Sequence, residues 1–244
     1  MIKKEHIIIL LLIAIISILI FGIMNLHHSD NGSEIKNTTI SYETIANDTI
    51  NDKGFVQVMR NIGNPEGKKI AYVVGVHPLE NETHRTLLNM LPGIDDLNYN
   101  YDIYIINVTE DIGHYGDGSS DNSPGRQNGQ NLALKYVYPK IADGDYELAI
   151  DIHSNIGAYP YKTFVFIPVK EGLGVDYARE VGEKCENISY YPLESTTSGP
   201  YLTIPLNENG VPAFYLEEYS FASQSEKDMH MLELITAVDN LEFS

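Results

Sequence analysis

A single cysteine, Cys185, is all the thiol chemistry this chain holds. One cysteine excludes an intrachain disulfide and a cysteine-based zinc site, and it is read as a buried small hydrophobe rather than a nucleophile. Positive charge is scarce too: 16 Lys and Arg stand against 34 Asp and Glu, a formal charge of −18. With no basic cluster to neutralise phosphates, nucleic acid and anionic lipid are not expected as partners. The acidity itself reads as a solvated surface. A Gly-rich phosphate loop is missing, and so is Gly-x-Ser-x-Gly, which leaves a serine hydrolase little support. There are no internal repeats.

A long hydrophobic run is present at the N-terminus. Lys3 and Lys4 precede the stretch from Ile7 to Met24, which has no charge and only Ser17 as a polar interruption. As a helix it spans about 27 Å, close to the ~30 Å hydrocarbon core. No small-x-small cleavage site follows, so residues 1–24 are expected to be an uncleaved signal anchor, a transmembrane helix. With Lys3 and Lys4 held inside, the remainder lies outside the cell. Residues 25–53 are polar and aperiodic and read as a tether with a reach of roughly 30 Å. Asn-x-Ser/Thr acceptors at Asn31, Asn37, Asn47, Asn81, Asn107 and Asn187 suggest glycosylation, three of them packed into that tether.

From residue 54 to 244, hydrophobic runs alternate with helical patterns, a length that suits one domain. Strands are expected near 69–76, 101–108, 146–152, 162–168 and 212–218, and helices near 81–91, 126–141, 174–186 and 224–241. The helix at 126–141 is expected to bury Leu132, Leu134 and Val137. The last helix should place Met229, Leu232, Leu234, Ile235, Val238 and Leu241 largely on one face. This alternation implies an α/β fold with a mostly parallel sheet, whose ligands bind beyond the carboxyl ends of the strands.

Two histidines fall at such ends. Gly75-Val76-His77-Pro78-Leu79-Glu80 follows one strand, and the three-residue spacing lets a turn aim His77 and Glu80 at one point. His84 is a competing ligand, a helical turn further on and expected to stay out of the set. Asp151-Ile152-His153 ends another strand, where alternation puts Asp151 and His153 on one face. Asp151 would orient the imidazole from behind. Two imidazoles and a carboxylate are a donor set for one Zn2+ ion with a position left open for hydrolysis. Glu217, at the end of Phe214-Tyr215-Leu216-Glu217, is the expected base, with Glu218 turned to the opposite face. Arg126 would polarise a carbonyl or hold a carboxylate. Asn128, Asn131 and Tyr201 are candidate substrate contacts. Taken singly, each piece has a bland reading: a helix start, a core histidine, a surface salt bridge.

In this order, His77-x-x-Glu80, His153 and Glu217 resemble the zinc metallocarboxypeptidase superfamily, especially its succinylglutamate desuccinylase and aspartoacylase-like branch. The similarity covers roughly residues 67 to 222. It implies a three-layer α/β/α sandwich around a mixed sheet, one zinc ion, and Arg126 as the carbonyl-polarising arginine. The chain departs from that family in Pro78-Leu79, in Glu218-Tyr219 after the base, and in lacking a recognisable Asn-Arg pair for a substrate carboxylate. The expected function is a membrane-anchored, extracellular zinc amide hydrolase acting on peptides, including cell-wall peptides, or on N-acyl amino acids. Two other readings are a surface binding or adhesion domain without turnover, and a calcium-dependent glycan binder built on Asp117 and Asp121.

Overall fold

The computed structural model describes residues 39–113 and 124–243. The chain enters through β1 (Ser41–Asp48) and β2 (Gly54–Gly63), an antiparallel pair. Next come β3 (Lys69–Val74), the short 3-10 turn Pro78–Glu80, α1 (Asn81–Met90) and β4 (Asn100–Val108). α2 (Pro124–Leu132), a π-helical turn over Ala133–Val137 and α3 (Tyr138–Ala142) lead into β5 (Tyr146–Asn155). β6 (Phe164–Phe166), α4 (Leu173–Lys184) and β7 (Ser189–Tyr190) follow. α5 (Thr203–Glu208), β8 (Ala213–Tyr219) and α6 (Gln224–Asp239) close the fold.

The eight strands of the described residues join one mixed sheet in the order β1-β2-β4-β3-β5-β8-β6-β7. Its centre, β4-β3-β5-β8, is parallel. From β3 the chain moves to β4 on one side, then returns to β5 on the other. That reversal makes the carboxyl ends of β3 and β5 a switch point, the place where open α/β sheets leave a crevice. Helices cover both faces. Ile70, Tyr72, Ile150 and Phe214 pack against Leu87 and Leu91 from the α1 side, Val181 of α4, and Leu234 and Val238 of α6. On the other face Ala71, Val73, Ala149 and Ala213 pack against Leu132, Val137, Ile141 and Leu206. Alternation along the strands sends successive residues to these two cores.

Several sequence expectations need correcting. Residues 41–48, placed in the tether, form β1, paired along its length with β2. Their polar pattern follows from their position, because β1 is an edge strand and mostly exposed. Leu134 is 40% exposed rather than buried. The π turn around it slips the helical phase, so the 3.6-residue pattern no longer predicts its face. Met229 and Leu232 are also exposed, and Met231 takes the core position beside Leu234 and Ile235. β2, β7 and α5 had no counterpart in the expected elements. The anchor expected over 1–24 and the Asp117–Asp121 stretch lie outside the described residues. Among the described residues no helix is long and apolar enough to cross a membrane.

Candidate metal centre

The site is built at the switch point, and two glycines let its walls approach. After β3 the chain turns through Gly75, whose φ of +90° and 2.0 Å clearance between a built Cβ and Ile106 O admit no side chain. His77 follows in extended conformation, and Pro78 opens the turn that brings Glu80 round behind it. Gly129 of α2 packs against the same loop: a Cβ there would stand 2.1 Å from Val76 O. That contact lets α2 lower Arg126 and Gln130, one helical turn apart, onto the site.

His77, Glu80 and His153 are buried, and one ligand atom from each lies within 4.8 Å of the others. Nδ1 of His77 is 2.8 Å from Nδ1 of His153. Glu80 spans the pair, with Oε1 3.0 Å from Nδ1 of His77 and Oε2 3.0 Å from Nδ1 of His153. The backbone N–H of Ser154 donates to the same Oε2 at 2.9 Å and fixes the carboxylate in place. Behind His153, its Nε2 lies 3.0 Å from Asp151 Oδ2. The approach is close but poorly aligned, so both Asp151 oxygens and that nitrogen lack a well-formed hydrogen bond. Arg126 reaches Glu80 Oε1 at 3.5 Å and Thr197 Oγ1 at 3.4 Å.

Glu217 stands directly opposite His153 on the neighbouring parallel strand, and so on the same face. Its residue surface is partly exposed, yet its Oε2 is buried with no hydrogen-bond partner. Burial, reinforced by the charges of Glu80 and Asp151 and opposed by His153 and Arg126, pushes its carboxyl up to about 8. Burial also pulls His77 down to about 4 against the attraction of Glu80. His153 moves the other way: burial opposes its charge, but Asp151 and Glu80 outweigh it and hold the imidazole well above its usual range. Glu80 is held well below the carboxylate range, its desolvation overcome by the two imidazoles. Glu80, Asp151 and Glu217 thus put three buried carboxyl groups around two imidazoles, with Arg126 the cationic side chain in contact. Two imidazoles and one carboxylate converging on one point are a donor set that fits a divalent cation of zinc type.

Other expected residues stand elsewhere. Glu218 turns away, accepting from Thr163 Oγ1 at 3.0 Å and lying 3.0 Å from His230 Nδ1. His84 is buried with Nε2 3.1 Å from Ile152 O, bracing β5 rather than joining the cluster. Asn131 donates to Asp52 Oδ1 at 3.0 Å and accepts from Gln127, whose amide also donates to Tyr201 OH at 3.0 Å. Asn131 and Tyr201 therefore tie loops to α2. Asn128 is half-buried and lies about 200° round the helix from Arg126. The residue that sequence reading passed over is Gln130, buried and 3.3 Å from Nε2 of His77. Its four-residue spacing from Arg126 was the available signal. One surface hollow, of about 390 Å³ between Arg60, Lys69 and Tyr146, lies at the amino ends of β3 and β5.

No protein-family model matches the sequence, and no curated protein matches it significantly. Solved structures share the fold at low identity. A metallo-carboxypeptidase from Burkholderia cenocepacia matches with a TM-score of 0.53 and 14% identity, over 82% of this chain and 64% of that one. Tripeptide-bound cell shape determinant Csd4 from Helicobacter pylori matches with a TM-score of 0.51 and 12% identity, over 84% of this chain and 58% of its own. A succinylglutamate desuccinylase/aspartoacylase from Rhodobacter sphaeroides is also among the matches, at a TM-score of 0.46 and 10% identity, over 83% and 66%. The chain spans less than two thirds of the length of the first two structures. By shape rather than by sequence identity, the chain shares its fold with the Burkholderia cenocepacia metallo-carboxypeptidase and with Csd4.

Proposed function

We propose that this chain is a hydrolase of amide bonds, working with one zinc ion held by His77, Glu80 and His153. The observation that carries the reading is their convergence within 4.8 Å at the switch point, facing Glu217 across one strand spacing. When bound, the ion supplies Lewis acidity toward the scissile carbonyl and lowers the pKa of water. The protein's own groups do the rest. Arg126, already beside Glu80, holds the carbonyl oxygen as negative charge builds on it. Glu217 takes the proton of the attacking water and delivers it to the leaving nitrogen, a transfer aided by a carboxyl whose affinity for protons is raised by burial. Asp151 holds the His153 ring from behind.

The substrates we propose are peptides, including cell-wall peptides, or N-acyl amino acids. The tripeptide found in Csd4, which shares the fold, supports a peptide. The apolar run from Ile7 to Met24, with Lys3 and Lys4 before it, supports a single-pass anchor with the catalytic domain outside the cell. The test is metal analysis of the full-length chain followed by a screen of amide substrates. One zinc per chain, lost in His153→Ala, is the expected result; unchanged zinc in that variant would remove His153 from the ligand set.

A further inference from the structure

Gln130 stands outside every motif, yet it is a polar side chain with 3% of its surface exposed and its amide is aimed at a histidine. It meets Nε2 of His77, the ring nitrogen away from Glu80 and His153. The other histidine is backed differently. Nε2 of His153 faces the carboxylate of Asp151, which can only accept. A neutral imidazole that offers Nδ1 to a cation carries its proton on Nε2, so the group behind it must accept that proton's hydrogen bond. An amide can accept through Oε1 or donate through Nε2, and a half-turn about its last bond exchanges the two ends. The 3.3 Å contact with the amide nitrogen becomes a contact with Oε1 by that turn alone.

We propose that Gln130 is a positioning residue that selects the tautomer of His77, accepting Nε2–H through Oε1 and so directing the Nδ1 lone pair toward Glu80 and His153. This rests on the metal-centre reading above. It makes the two histidines unequal: His153 has a fixed anionic partner, while His77 has a neutral partner that can reverse. An acceptor-only side chain in place of the amide then improves the site, and a side chain of similar length without an acceptor impairs it.

The experiment is zinc affinity of the full-length chain by competition with a chromogenic chelator, with the His77 tautomer read from imidazole ¹H–¹⁵N correlation spectra. Wild type is expected to bind one zinc with the proton on Nε2 of His77. Gln130→Met and Gln130→Leu are expected to bind zinc about 10–100-fold more weakly, and Gln130→Glu at least as tightly as wild type. Wild-type affinity in the Met and Leu variants overturns the inference. Equal loss in all three variants also overturns it, because a packing role ignores hydrogen-bond chemistry. Absence of zinc binding by wild type overturns the metal reading itself and the inference with it. That outcome is recognised because His153→Ala then changes nothing either.

Discussion

A buried carboxyl oxygen without a hydrogen-bond partner destabilises a fold, and Glu217 keeps its Oε2 in that condition. Glu217→Gln should keep zinc and lower turnover by about 10²–10⁴-fold, since only proton transfer is removed; equal metal content beside unequal rates is the check. The same group makes a pH prediction for protein stripped of metal by a chelator. Its folded pKa, about 8, lies above the ordinary value of 4.5, so its contribution to stability is fully present below about 4.5 and lost as pH rises through 8. His77, lowered to about 4 from 6.5, has the opposite sign, but that effect is confined to the range below 6.5. Between pH 6.5 and 8 the metal-free wild type should therefore lose stability as pH rises. The limit per proton is about 1.4 kcal/mol per pH unit. Glu217→Gln should flatten that slope without abolishing it, because His153, raised well above its usual range, adds the same sign. Thermal melts across that range would read it.

At the scale of elements, two close approaches hold the site open to its ligands. Gly129→Ala forces a Cβ against Val76 O, and α2 must shift to relieve it. A loss of ~1–3 kcal/mol is expected from overpacking, with weaker zinc binding because Gln130 and Arg126 move with the helix; urea titration and chelator competition measure the two effects. α6 supplies a control away from the site. Ser223 caps it, accepting from Glu226 N while Glu226 closes the capping box. Ser223→Ala should cost about 1 kcal/mol of stability and leave zinc affinity alone. Much at this scale was legible. β3, β4, β5 and β8 are rich in apolar and β-branched residues and buried on both faces, and such segments announce themselves. β1 was not legible, because an exposed edge strand needs no hydrophobic pattern. Leu134 was misread because a π turn changes the angular step on which the pattern depends.

Over the whole molecule, the folded unit begins earlier than its hydrophobic pattern. β1 covers the edge of β2, and Asp48 at its end is gripped by Lys135 Nζ at 2.5 Å and by Tyr136 OH at 2.8 Å. A fragment starting at residue 54 loses both, exposing the unpaired edge of β2. It should aggregate or melt at lower temperature than a fragment starting at residue 39, as light scattering and calorimetry would show.

The residues alone determined the α/β class, the order of the central strands along the chain, and a donor set chemically suited to a divalent cation. Those follow from local rules: which side chains are apolar, at what period, and which carry nitrogen or oxygen ligands. Only the tertiary structure decided that His77 and His153, 76 residues apart, meet at 2.8 Å, and that Gln130 stands behind His77. The physical reason is the return of the chain across β3. It sets the ends of β3 and β5 side by side, and proximity across a sheet leaves no mark in the spacing of residues along a chain.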